Sequence, residues 1–104
     1  MSDSKLPITA LEAGSESITS HFGETTQTIK AIEEMAELTA VLTKHLTDRP
    51  VDKDAIVDEV ADVMVTTFQL RHMVGAHAVD ERILFKLDRT LNFIRNKAKE
   101  ESPQ

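Results

Sequence analysis

Residues 29–42 read Ile29-Lys30-Ala31-Ile32-Glu33-Glu34-Met35-Ala36-Glu37-Leu38-Thr39-Ala40-Val41-Leu42, and residues 56–70 read Ile56-Val57-Asp58-Glu59-Val60-Ala61-Asp62-Val63-Met64-Val65-Thr66-Thr67-Phe68-Gln69-Leu70. Neither stretch contains Gly or Pro, and neither keeps the two-residue alternation of a strand. Both read as helices, but not as ordinary surface helices. A surface helix carries one apolar stripe and one broad polar face. On the first stretch the apolar side chains go nearly all the way round, and Glu33, Glu34 and Glu37 share their sector with Ala40 and Val41. On the second, Asp58, Glu59 and Asp62 form a narrow strip, with Thr66 and Met73, along an otherwise apolar rod. The acids are therefore expected at or near packed surface.

Breakers set the helix ends on either side of these stretches. A first helix is expected over residues 9–21, weakened by Gly14, Ser15 and Ser17 and ended by Gly23. The second should run over 25–46. Thr47-Asp48-Arg49-Pro50-Val51-Asp52-Lys53 reads as a loop, because Pro50 disfavours helix at Arg49. The third should run over 54–74 and stop at Gly75, a good residue just past a helix end. The fourth should begin at Asp80 or Glu81, where an acid suits the helix dipole, and fade near Lys97. Residues 1–8 and 99–104, polar with Ser and Pro near the ends, are expected as flexible tails around a single domain over 9–98. Short connections between long helices predict an all-α, antiparallel four-helix bundle-like subunit. With 104 residues, a monomer buries only about two-thirds of its unfolded surface, so the subunit is expected to be completed by oligomerisation.

Composition excludes several classes of function. Twelve Lys and Arg against 18 Asp and Glu give a net charge of −6, which argues against coating a nucleic acid polymer. The absence of Cys removes disulfides, thiolate metal sites and a Cys nucleophile. The N-terminal MSDSKLPITA has no apolar run of signal-peptide length, and no stretch approaches a membrane span; a cytoplasmic protein without membrane partners is expected. There is no GxxxxGK[ST], hence no P-loop. His21, His45, His72 and His77 are scattered, with no acid three residues before any of them, so the Glu-x-x-His pattern of a di-iron bundle is missing.

The spacing of the acids carries the functional reading. Glu34 and Glu37 are three residues apart, as are Glu59 and Asp62, so each pair leaves one helix face. If the second and third helices are antiparallel neighbours, the pairs face each other. Four carboxylates that close do not all ionise without a cation among them. At least one carboxyl should then titrate abnormally high in the metal-free protein. All-oxygen ligation suits a hard divalent cation, Mg²⁺ with Mn²⁺ as a substitute.

Glu33-Glu34-Met35-Ala36-Glu37, then 21 residues, then Glu59-Val60-Ala61-Asp62 reads EExxE…ExxD. This resembles the MazG-like all-α nucleoside triphosphate pyrophosphohydrolases, a group that includes dimeric dUTPases, dCTP pyrophosphatases and phosphoribosyl-ATP pyrophosphohydrolase. Phe22-Gly23, Gln27 and Lys30 resemble the approach to its first motif helix, and Lys86, Asp88 and Arg89 its downstream basic segment. The likeness covers residues 20–96. It implies a hydrolase that cleaves a nucleoside triphosphate between the α and β phosphates, releasing a monophosphate and pyrophosphate. It implies Glu34, Glu37, Glu59 and Asp62 as Mg²⁺ ligands, with Glu33 as an accessory acid that takes a further ion or orients the attacking water. Lys86 and Arg89 would hold phosphate oxygens, with Asn92 and Arg95 in support, and Gln27 and Lys30 are further candidates for substrate contact. It implies a homodimer or homotetramer.

Phosphoryl transfer needs charge neutralisation and in-line positioning more than a covalent nucleophile, and carboxylates with cationic side chains supply that. Two other readings stay open: an activity of the phosphoribosyl-ATP pyrophosphohydrolase type, and a non-catalytic helical dimerisation module whose acids are merely solvated. Met35, Met64, Met73, Phe68, Phe85 and Phe93 are expected in a core or subunit interface, and Phe22 at the border of a base pocket.

Overall fold

The computed structural model describes residues 5–47 and 50–101. All regular structure among them is helical: α1 (Ile8–Phe22), α2 (Glu24–Thr47), α3 (Lys53–Val74) and α4 (Ala76–Glu101). The chain divides into two compact units, Met1–Met73 with the first three helices and Val74–Gln104 with the fourth.

Single glycines separate α1 from α2 and α3 from α4. The Gly23 N–H donates to the Thr19 carbonyl at 2.8 Å, closing α1, and the Gly23 carbonyl accepts from the Gln27 N–H at 3.1 Å, opening α2. One residue does both because its backbone sits at φ +94°, ψ 153°, a region open in practice only to glycine. Gly75, at φ +116°, plays the same part, and its carbonyl accepts from the Val79 N–H at 3.1 Å. For this reason α4 begins at Ala76 rather than at Asp80 or Glu81: the helix needs no acid cap once a glycine has turned the chain. It also continues through Lys99–Glu101, a run of good helix formers, beyond the expected end near Lys97 and into the expected tail. At the other end α1 takes in Ile8. The remaining tail positions, 1–4 and 102–104, and loop residues 48 and 49 lie outside the described residues.

The start of α3 is capped by Asp52, whose Oδ1 accepts from the Asp54 N–H at 3.2 Å and whose carbonyl accepts from the Ala55 N–H at 3.0 Å, as a short acceptor side chain does at a helix start. The Val51 N–H donates to His45 Nδ1 at 3.2 Å, tying the loop to the end of α2.

Within the first unit the buried positions are spaced evenly about Gly23. Thr19 and Ser15 lie four and eight residues before it, Gln27 and Ala31 four and eight after, and all four are buried. Small side chains at Ser15 and Ala31 let the α1 and α2 backbones approach. Helices α2 and α3 run antiparallel, because partners fall along one as they rise along the other: Thr28 Oγ1 meets Met73 Sδ at 3.7 Å, Gln27 meets Gln69, and Glu34 meets Asp62 and Glu59. Arg71 bridges α3 to Glu12 of α1 at 3.1 Å.

The buried set is Ala31 with Ser15, Thr19, Gln27, Glu34, Thr66 and Gln69, so polar side chains dominate it. Large apolar side chains point the other way. Ile29, Ile32, Met35 and Leu42 of α2 and Val57, Val60, Met64 and Val65 of α3 are exposed. In the second unit α4 buries no residue, and Ile83, Leu84, Phe85, Leu87, Leu91, Phe93 and Ile94 are exposed.

Replacing Gly23 with alanine tests the backbone argument in isolation, since no atom lies within 4 Å of the position a Cβ would take. Gly23→Ala should lower unfolding stability by about 1–3 kcal/mol through backbone strain alone, read by urea denaturation. An unchanged midpoint would refute the account.

Candidate metal centre

Residues of α2 that face α3 recur at Gln27, Ala31, Glu34 and Leu38, at intervals of four, three and four. Residues of α3 that face back recur at Glu59, Asp62, Thr66 and Gln69, at three, four and three. This spacing keeps one stripe on the contact side of a helix. Two turns along α2 from Gln27 the stripe reaches Glu34, and two turns back along α3 from Gln69 it reaches Asp62. Glu34, Glu59 and Asp62 each turn one carboxylate oxygen into the same space, and the three oxygens lie within 4.8 Å of one another.

Glu34 is the anchor of the cluster and is only 6% exposed. Its Oε2 is held by Lys30, one helical turn earlier, at 3.1 Å. Its Oε1 is buried without a hydrogen-bond partner, and so is Glu59 Oε1. A buried carboxylate oxygen with no donor loses water and gains nothing in return. Two of them in residues of one acidic cluster have the chemistry of a cation site, since carboxylate oxygens are hard ligands and a positive charge offsets their repulsion. A site for Mg²⁺ or Mn²⁺ would draw on Glu34, Glu59 and Asp62.

Electrostatics carry the same signature. The Glu59 carboxyl is pushed above the ordinary glutamate value, first by desolvation and then by the negative charges of Glu37, Asp62, Glu34 and Asp58. The direction of the Glu59 shift is the one expected for a carboxyl of such a cluster. Lys30 is shifted up, mainly by its hydrogen bond and charge pairing with Glu34, with smaller contributions from Glu33 and Glu37.

The other residues singled out in the sequence fall into place unevenly. Glu37 lies outside the group of three and is exposed, although its charge reaches Glu59. Glu33 is exposed beside it. Lys30 is engaged by Glu34. Gln27 is buried and donates through Nε2 to Gln69 Oε1 at 2.7 Å. Gln69 was not singled out in the sequence; the signal that could have found it is its place on the Glu59-Asp62-Thr66 stripe. Phe22 is exposed, with the His21 ring edge-on at 4.5 Å. Lys86, Arg89, Asn92 and Arg95 belong to α4 in the second unit and are all exposed. There Arg89 lies over the Phe85 ring at 5.7 Å, and Asn92 bonds both Asp88 and Arg95. Phe85, Asp88, Arg89, Asn92, Phe93 and Asn96 line a shallow depression on that helix.

Compared with known proteins, the chain matches no family model, no curated protein and no solved structure.

The raised Glu59 makes a signed prediction. The folded state binds its proton more tightly than the unfolded chain does, so metal-free stability falls as pH rises from the ordinary glutamate value through the raised folded value. Glu59→Gln should therefore stabilise the metal-free protein at neutral pH and flatten this slope in urea melts over about pH 4 to 8. A variant less stable than wild type at neutral pH, with the slope intact, would contradict it.

Proposed function

We propose that this protein is a Mg²⁺-dependent nucleotide pyrophosphohydrolase. It would cleave a nucleoside triphosphate between the α and β phosphates to give a nucleoside monophosphate and pyrophosphate. The observation that carries the reading is the clustering of Glu34, Glu59 and Asp62 carboxylate oxygens within 4.8 Å, with Oε1 of Glu34 and of Glu59 buried and without a hydrogen-bond partner. The order of those acids, in the EExxE…ExxD pattern of residues 33–62, supports it.

When bound, a divalent cation neutralises phosphate oxygens and acidifies water. The chain's own residues do the rest. Glu34, Glu59 and Asp62 hold their oxygens on helices, so little reorganises when charge develops. Lys30 pairs with Glu34 Oε2 at 3.1 Å and holds its rotamer. Glu37 and Glu33, both exposed, would accept a proton from an attacking water or ligate a further ion. Lys86, Arg89, Asn92 and Arg95 are the proposed holders of phosphate oxygens, because a cationic strip is what a leaving pyrophosphate requires.

The same proposal includes a homo-oligomer. Burying a Leu, Ile or Met side chain is worth about 1.5–3 kcal/mol, and in this chain many such residues stay in water while polar ones are covered. A partner subunit would cover those faces and complete a four-helix bundle-like core. This feature also favours the second reading, a non-catalytic association module, which predicts the oligomer without the chemistry.

Pyrophosphate release should appear with Mg²⁺ and vanish with EDTA in a panel of ribo- and deoxyribonucleoside triphosphates and phosphoribosyl-ATP. Glu34→Gln and Asp62→Asn should each lower kcat/KM by about 100-fold or more. Millimolar Mg²⁺ should raise the wild-type Tm by mass action, with the gain lost in Glu34→Gln. Full turnover in both variants, or no turnover on any substrate together with a Tm indifferent to Mg²⁺, would overturn the enzymatic reading. Light scattering should give a multiple of the 11.6 kDa chain mass; a monomer at tens of micromolar would remove the oligomer.

A further inference from the structure

In chain order α2 ends at Thr47 and α3 starts at Lys53, so these helices are covalently linked at one end only. At the other end lie Gln27 and Gln69, and the acidic cluster sits between the two ends. Gln69 is only 2% exposed and Gln27 is 7% exposed. The Gln27 Nε2 donates to Gln69 Oε1 at 2.7 Å across the helix pair. The spacing to the cluster is equal on both helices: seven residues from Gln27 to Glu34, and seven from Gln69 back to Asp62. Ala31, fully buried, and Thr66 fill the turn between. The Thr66 hydroxyl is occupied with the Asp62 and Val63 carbonyls of its own helix, so it does not bridge to α2.

We propose that Gln27 and Gln69 are positioning residues. Their amide–amide hydrogen bond clamps the open end of the α2–α3 pair and sets the rotation that brings Glu34 and Asp62 within ligating range of one cation. The physical ground is directional. Apolar contact holds two helices together without fixing how each is turned about its axis. A buried amide pair has one good geometry and a penalty for every other, because a misaligned partner is left unsatisfied in a dry place. Single buried polar pairs fix register in helical assemblies in this way, with some loss of stability. Here the position being fixed lies two turns from three carboxylates that repel one another, and without the clamp their repulsion drives the helices apart. This assigns Gln27 a different task from substrate contact: its Nε2 is engaged by Gln69 and its side chain is covered.

The proposal rests on the metal reading of the cluster, and the experiment separates the two. Mn²⁺ affinity, by EPR of the free ion, and thermal stability are measured for wild type, Gln69→Leu and the double variant Gln27→Leu/Gln69→Leu. Gln69→Leu should melt lower, because it strands the Gln27 amide. The double variant should melt at or above the wild-type temperature, because both partners become apolar together. Mn²⁺ affinity should nevertheless fall at least about 10-fold in both, as when groups that orient metal ligands are removed. A merely structural pair would show affinity recovering with Tm in the double variant, and that result overturns the proposal. The second readout needs no metal. The chain has no Cys, so spin labels at Thr25→Cys and His72→Cys, both exposed positions, report the open end directly. The label-to-label distance distribution should be narrow with the native glutamines and broad in the double leucine background; equally narrow distributions overturn the proposal. Wild type that fails to bind Mn²⁺ while the distributions broaden as expected would sink the metal reading and leave the clamp standing.

Discussion

Desolvation of one carboxylate sets the terms for the first unit. Glu34 is withdrawn from water with a single cationic neighbour, and that neighbour engages one oxygen only. The carboxylate also lies in a cluster with Glu59 and Asp62, one oxygen of each within 4.8 Å of the others. A buried charge is tolerated when paired and hydrogen-bonded, and is otherwise removed by protonation. The molecule shows part of each response: Lys30 leans onto Glu34, and Glu59 holds its proton more tightly than a free glutamate. Neither response supplies a donor for the two orphan oxygens. The arrangement is costly for a folded chain to keep unless the groups have a use, which is the physical basis for reading them as ligands.

That cost explains the inside-out distribution of side chains. A stripe that must present carboxylates to a shared space cannot also be a continuous apolar seam. Its flanking positions are taken by Gln27, Gln69 and Thr66, which satisfy one another or their own helices, and by Ala31, which takes almost no room. The large apolar residues of α2 and α3 are thereby displaced to other faces. Directional contacts, such as the Gln27–Gln69 bond and the Arg71–Glu12 bridge, link the helices of the unit alongside half-buried apolar residues such as Leu11, Leu38, Val63 and Phe68. On the proposed reading, a second subunit provides the apolar burial that this polar stripe forgoes.

Much of the fold could be read from the chain because its punctuation is strong. Gly23, Gly75 and Pro50 stand between long runs of helix formers, and three helices begin and end within one or two residues of where that punctuation places them. α4 starts ahead of the acids at Asp80 and Glu81 because the positive φ of Gly75 already frees the chain to begin again at Ala76. Of the acids, Glu34, Glu59 and Asp62 were legible from their spacing and their apolar neighbours. Gln69 was not, since a glutamine in a helix usually points to solvent and its buried partner lies 42 residues away. For Lys86, Arg89, Asn92 and Arg95, local sequence carries their charge but not what the charge faces.

Glu37 shows why spacing alone stops short of a ligand set. Three residues along a helix rotate a side chain by about 60° as well as raising it by most of a turn. At this rotation Gln27, Ala31, Glu34 and Leu38 fall in one arc of about 60° on α2, and Glu37 falls outside it. The result is a gradient: Glu34 buried, Glu59 and Asp62 half-buried, Glu33 and Glu37 exposed. The cluster thus has a dry floor and a wet rim, and the rim acids still act on the interior, since Glu37 is the largest charge contribution to the raised Glu59. In the proposed enzyme this asymmetry orders events in space. Glu34, Glu59 and Asp62 would hold a cation on the drier side, where desolvation strengthens charge interactions, and the exposed Glu33 and Glu37 would meet phosphates and water on the wetter side. A symmetric cage of four buried carboxylates would hold a cation more tightly but leave no open side for a substrate to share it.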